Sequence, residues 1–388
     1  MQHFYFDHNA TTPVSAEVLE TMVSCLGQVY GNASSIHHFG QAAKQRLEAA
    51  RRQVAGLIHC RPQEVVFTSG GTEADNLAIL GVVRQSARPS RHVITSAIEH
   101  PAVLNTCTAL QQEGVEVTFV PVGSNGVVDP DDIRRALRPE TVLVSIMHAN
   151  NELGTVQPIA EIAAITRAAG VYLHSDGVQS LGKLPVDVHA LGVDLYSLSG
   201  HKIYAPKGIG ALYVRKGVRL AAIQFGGHHE RERRPGTENV PGAAALGRAA
   251  ELAARDLPSE SARLAELRDR LESGILERVP DAGVHGMHAP RAPNTTNLYF
   301  DGLEGEALVI ALDLRGFAVS SGSACSSGAV EPSHVLLALG LAPERARSSI
   351  RFSLGHSNTA EQVDELAEAV AASVRHLRKL SPVAGVHA

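Results

Sequence analysis

Between residues 64 and 214, short apolar runs alternate with longer stretches in which apolar positions recur every three to four residues. The runs VVFTS, HVITSAIE, VEVTFVPV, TVLVSIMHAN, GVYLHSDG, VDLYSLSG and GALYVRK have strand length, and the stretches between them have helical spacing. Such alternation predicts an α/β fold whose mainly parallel sheet is wrapped by helices. Ligands of such sheets sit beyond the carboxyl ends of the strands, and several of these runs end in polar, helix-starting turns. Over 243–279 the pattern becomes strongly helical, with Pro258 expected to separate two helices and the whole stretch expected to bridge two domains. Residues 297–301 and 317–320 read as further strands, and AEQVDELAEAVAASVRHLRKL reads as a closing amphipathic helix.

The 388 residues exceed one small core, so two domains, or one large domain with an appendage, are expected. With 44% hydrophobic and 19% charged residues the composition is that of a globular protein, and the net charge of -5 disfavours non-specific binding to nucleic acid or acidic membranes. Cys25, Cys60, Cys107 and Cys325 are dispersed and form no CxxC pair, which argues for a reducing compartment and against a disulfide framework or zinc site. No apolar run is long enough to span a bilayer, and MQHFYFDHNATTP has neither signal nor transit character, so a cytoplasmic location is expected. HExxH is absent, and the pairs His37-His38 and His228-His229 read as loop residues, so no resident metal is expected.

Three segments carry candidate chemistry. In SLSGHKIYAPKGIGALYV, Lys202 follows a strand beside Ser199, His201 and a glycine-rich return; partial burial there lowers an amine's pKa and suits it to attack an aldehyde. A lone lysine is more often a surface residue, so its setting matters. In VYLHSDGVQS, Asp176 ends a strand, where it can cap the next helix or, if buried, needs a cation such as a protonated pyridine nitrogen. Gln179, three residues on, can hydrogen-bond a phenolate. In FTSGGTEADNLAI, a glycine turn opens a helix whose first turn holds Gly71, Thr72 and Glu73, a geometry that serves either as a tight cap or as a phosphate cup. No Gly-Lys-Ser/Thr follows these glycines and no GxGxxG follows a strand, which weakens nucleotide readings. His100 of SAIEHPAV can stack on a planar cofactor or move protons, HANNELG offers the amides of Asn150 and Asn151, and SSGSACSSG surrounds Cys325 with small residues expected to leave its thiol exposed.

In this order and spacing, from YFDHNATTPV near residue 5 to SIRFSLG near residue 355, the segments resemble the cysteine desulfurase family of fold-type I pyridoxal-phosphate enzymes. The resemblance implies a large domain over 13–256 holding a mostly parallel seven-stranded sheet, and a smaller α/β domain formed by 1–12 and 257–388. It implies pyridoxal 5'-phosphate as cofactor, Lys202 as its covalent anchor, Asp176 at the pyridine nitrogen, Gln179 at the phenolic oxygen and His100 stacked on the ring. Phosphate contacts would come from Gly71, Thr72, Ser199 and His201, with Thr237 of RRPGTENV reaching across from a second subunit of a homodimer. Asn151 would lie beside cofactor and substrate, and Arg351 would bind the carboxylate of L-cysteine. Cys325 would take the substrate sulfur as a persulfide, releasing alanine, and would at most ligate a cluster iron transiently. The Cys325 segment resembles the longer-loop subgroup that serves iron–sulfur scaffold proteins, whereas SPVAGVHA does not resemble the docking tail of housekeeping members; this leaves the acceptor open between such scaffolds and transfer-RNA thiolation. An aminotransferase or a selenocysteine lyase of the same fold would share Lys202 and Asp176, and the mobile thiol is what argues against them.

Overall fold

The computed structural model describes residues 2–321 and 331–380. After β1 (Phe4–Tyr5), the seven expected runs become β2 (Val65–Thr68), β3 (His92–Ser96), β4 (Glu116–Val120), β5 (Thr141–Ser145), β6 (Tyr172–Asp176), β7 (Leu195–Ser199) and β8 (Gly210–Val214). They form one sheet in the order β2-β8-β7-β6-β5-β3-β4. Only β8 runs against its neighbours; all other pairings in the sheet are parallel. Strands β3, β5, β7 and β8 are buried along their whole length, which explains why they read as continuous apolar runs instead of an alternation. Their side chains still divide by face: Val65, Phe67, Ile94, Val144 and Leu173 enter one core, and Val66, Val93, Leu143 and Leu195 enter another.

The remaining strands, β9 (Ala282–Val284), β10 (Thr295–Phe300), β11 (Phe317–Ala318) and β12 (Ser349–Ser353), lie apart from this sheet. The antiparallel trio β12-β10-β9 and the parallel pair β1-β11 are built around a separate core that joins Phe6 to Leu271, Phe300, Phe352 and Val370. The chain start thus belongs to the same core as residues that follow it by more than 260 positions.

The expected break at Pro258 does not occur. One helix runs from Val240–Arg278 with Pro258 inside it. Its first turns, Val240 to Ala250, pack into the sheet core, and Leu264, Leu267, Leu271 and Ile275 pack into the second core. Pro258 falls on the exposed stretch between these anchors. There the carbonyl of Ala254, which loses its helical donor to the proline ring, can be hydrated, and burial at both ends outweighs the local cost. Replacing Pro258 with Ala restores that donor and is expected to stabilise the protein by about 1–3 kcal/mol. A urea midpoint at or below that of the parent would contradict this account.

Candidate active site

Lys202 closes the short turn Gly200–Lys202 that follows β7. The N-terminal segment lies across this turn. Thr12 donates its backbone N–H (2.9 Å) and hydroxyl (3.0 Å) to the His201 carbonyl, and its hydroxyl accepts from the Tyr204 N–H (2.8 Å). Tyr204 sits in the left-handed region, φ 65°, held there by these contacts. The Lys202 amine donates to the carbonyls of Asn9 and, at 2.8 Å, Ala10. Burial, then the nearby charge of Arg351, lowers its pKa to about 8, so a sizeable fraction of the amine is free at neutral pH.

Asp176 ends β6 and is buried. Burial raises its pKa, opposed by the charges of His100 and Lys202, and the Val178 N–H donates to its carboxylate at 2.9 Å. Among the described residues no arginine or lysine is in ion-pair contact with it. A buried carboxylate in this condition fits a ligand that brings a cationic N–H. Gly177 follows because a Cβ there would meet the Tyr196 ring at 2.0 Å. The helix Gly71–Gln85 begins without a side-chain cap, leaving its first amides for an anion. A Cβ on Gly71 would lie 2.7 Å from the Val178 side chain, so glycine is needed where this helix start packs against the segment after Asp176. Ser199 backs the same turn, 3.9 Å from the position of a Cβ on Gly70. His201, its pKa lowered to about 4 by burial, shares a 3.1 Å hydrogen bond with the Thr11 hydroxyl. An uncapped helix start beside Ser199, packed against the segment that follows the buried carboxylate of Asp176, fits a phosphate-bearing aromatic cation.

His100 follows β3 and caps the helix Pro101–Gln112, its Nδ1 accepting from the Ala102 N–H at 3.1 Å. The neutral ring therefore carries its proton on Nε2. An edge of the ring stays exposed, yet the protein packed around it lowers its pKa, and Asp176 partly offsets this.

Arg351, on β12, is buried. Its Nη2 lies 2.6 Å from Asp7 Oδ1 and its Nη1 donates to the Asn151 carbonyl at 3.1 Å, while Nε has no partner. Thr237 is exposed, and no hydrogen bond among the described residues joins it to the Lys202 cleft; its segment meets the helix start through Arg234 and Glu73, 2.9 Å apart. Cys325 lies outside the described residues. The other three cysteines form no disulfide; burial raises Cys25 and pushes Cys60 and Cys107 up to about 12.

Three participants escaped the sequence reading: Asp7, Asn9 and Lys183. Asn9 is the hub of the site. Its side chain donates to Thr295 Oγ1 (2.8 Å) and the Asn151 carbonyl (3.1 Å) and accepts from Asn294 (3.0 Å) and Lys183 (3.3 Å). Its carbonyl takes Lys202 and, at 3.0 Å, Gln179 Nε2. Asn9 stands in the YFDHNATTPV segment, but nothing in its spacing distinguished it from a turn residue. A cavity of about 250 Å³ opens beside this hub, with His8, Lys183, Lys202 and Asn294 in its wall.

A family model described as aminotransferase class-V matches residues 4–366. The chain is 46% identical over 379 residues to the cysteine desulfurase IscS of Methanosarcina thermophila, covering 98% of this chain and 94% of that one. It is 50% identical over 382 residues to the cysteine desulfurase IscS of Anaeromyxobacter sp. (strain Fw109-5), again with 98% and 94% covered. Among solved structures, a NifS-like protein superimposes with TM-score 0.91 at 37% identity, over 97% of this chain and all of that one. SspA in complex with cysteine superimposes with TM-score 0.81 at 36% identity, over 90% and 98%.

The lowered pKa of Lys202 has a stability consequence. In the unliganded protein the folded state resists protonating this amine, so Lys202 disfavours folding below about pH 8 and ceases to do so as pH approaches the ordinary lysine value of 10.5. Lys202→Met is therefore expected to be the more stable protein at pH 7, with an advantage that shrinks between pH 8 and 10.5. Urea midpoints across this range check it, and a constant difference would contradict it.

Proposed function

This chain belongs to the aminotransferase class-V family and is a cysteine desulfurase within it, and from that premise we propose the roles of its residues. Pyridoxal phosphate, when bound, supplies an electrophilic carbon for the substrate amine and a conjugated ring that accepts the electron pair released at the substrate α-carbon. Lys202 Nζ anchors the cofactor, and Asp176 keeps the ring nitrogen protonated. Gln179 Nε2 donates to the phenolic oxygen, and the first amides of the helix after Gly70, with Thr72, Ser199 and His201, hold the phosphate. The observation that carries this reading is the pairing, on one cleft, of an amine held near pKa 8 with a buried carboxylate that lacks a cation.

L-Cysteine enters with its carboxylate on Arg351, displacing Asp7, and with Asn151 alongside. Once the substrate amine takes its place on the cofactor, the Lys202 Nζ, its pKa lowered by burial, would be available as a base for the α-proton. His100, protonated on Nε2, stacks on the ring and passes protons to and from the substrate. The Cys325 thiolate then attacks the substrate sulfur: the S–S bond forms as the Cβ–S bond breaks, the electron pair stays on Cβ, and that carbon takes a proton to give alanine. The sulfur ends as a persulfide on Cys325 with no external oxidant consumed.

The wider setting belongs to the same reading. Its parts are a division into 13–256 and 1–12 with 257–388, supported by a core of Phe6 and residues from Leu264 to Val374 that is separate from those of the large sheet, and a homodimer in which Thr237 completes the phosphate site of the partner. A cytoplasmic location and delivery of sulfur to an iron–sulfur scaffold or another acceptor protein complete it. No helix among the described residues is long and apolar enough to cross a membrane.

With cysteine and a reductant, the parent is expected to form alanine and sulfide in equal amounts, and Cys325→Ala is expected to lose both by about 100-fold or more. Persistence of both products in that variant would remove Cys325 from its role. Arg351→Gln is expected to raise KM for cysteine by about 10- to 100-fold, the loss of a charged two-pronged contact; an unchanged KM would place the substrate carboxylate elsewhere.

A further inference from the structure

Lys183 has no part in the chemistry described above. It lies in the turn after β6, four residues beyond Gln179, and is 6% exposed. Among the described residues no carboxylate pairs with it. Its charged neighbours are Lys202 and Arg351, both cations, and the ring of His8 lies nearby without a hydrogen-bond partner of its own. Burial, reinforced by these like charges, holds its pKa well below that of an ordinary lysine. A neutral amine has two N–H bonds to place. Here there are two acceptors, Gln179 Oε1 at 2.7 Å and Asn9 Oδ1 at 3.3 Å.

This arrangement fixes the Gln179 amide. With Oε1 on Lys183, the NH2 group must point the other way, and it donates to the Asn9 carbonyl, the same oxygen that receives the Lys202 amine. A flipped amide would set Oε1 against that carbonyl oxygen, a repulsive contact between two acceptors, and leave its NH2 only the lone pair of Lys183 to donate to. Asn9 is fixed in the same way, since Oδ1 accepts from Lys183 and Asn294 while Nδ2 donates to Thr295 and Asn151.

We propose that Lys183 is a positioning residue: it holds the Gln179 amide with its oxygen inward and its NH2 facing the Lys202 cleft, and so sets the hydrogen bond that Gln179 offers to the cofactor's phenolic oxygen. The proposal rests on the role given to Gln179 above. A donor at that oxygen stabilises the phenolate and makes the linkage to Lys202 easier to deprotonate. Losing the donor therefore raises the pH midpoint of the visible absorbance change of the bound cofactor.

The test is a double-mutant cycle on the holoenzyme, read as that midpoint. Gln179→Ala and Lys183→Met are each expected to raise it by about 0.5–1 pH unit, and the double variant no further than Gln179→Ala alone. Lys183→Gln keeps a neutral N–H donor and is expected to return the midpoint toward the parental value, which a purely electrostatic role for Lys183 would not allow. Lys183→Leu runs in parallel, so that a folding failure of one apolar variant leaves the cycle intact. A shift from Gln179→Ala with none from Lys183→Met, or shifts that add in the double variant, would overturn the positioning role alone. A silent Gln179→Ala would overturn the role of Gln179 and this proposal with it.

Discussion

The site is organised by a shortage of negative charge. Lys202 from the end of β7, Lys183 from the turn after β6 and Arg351 from β12 converge on one cleft, and among the described residues only Asp7 makes an ion pair with any of them. Burial, reinforced by the charges of the neighbouring cations, keeps both lysines from holding their protons as ordinary lysines do. Neutral carbonyls of Asn9, Ala10 and Asn151 stand in for the missing anions. Asp176, buried and with no lysine or arginine in ion-pair contact among the described residues, lies within electrostatic reach of Lys202.

The same shortage explains why the N-terminal segment matters so much. Asp7 and Asn9 are held by β12 and the Asn294–Thr295 segment, yet their contacts reach Asn151, Gln179, Lys183 and Lys202 around the large sheet. In the proposed binding of the substrate carboxylate to Arg351, exchange for Asp7 conserves charge, so the buried guanidinium stays paired. The proposed exchange would also tie substrate binding to the position of the chain start, and through Asn9 to Lys202.

How much of this could be read beforehand depended on whether a residue acts locally. The seven strands were legible because both faces of the sheet are covered, which turns each strand into an apolar run bounded by polar turns. Lys202, Asp176 and the start of the helix Gly71–Gln85 were legible because each follows its own strand directly. Asn9 and Lys183 were not, since their meaning lies in hydrogen bonds across 174 positions of sequence. Pro258 misled for a related reason: proline's local preference was read without the two cores that grip the helix on either side. Thr237 itself makes no hydrogen bond to the Lys202 cleft among the described residues, although its segment reaches the helix start through Arg234 and Glu73.

Acid–base chemistry also narrows where sulfur can be received. An attacking thiol must ionise near neutral pH, and for a thiol held near pKa 12 only about one molecule in 10⁵ is thiolate at pH 7. Cys60 and Cys107 are in that state, and Cys25 is buried and raised as well. None of the three can be both exposed to an acceptor protein and ionised in the cleft. The proposed transfer of sulfur to Cys325 accords with this, since that residue stands in sequence among serines, glycines and alanines instead of in an apolar run.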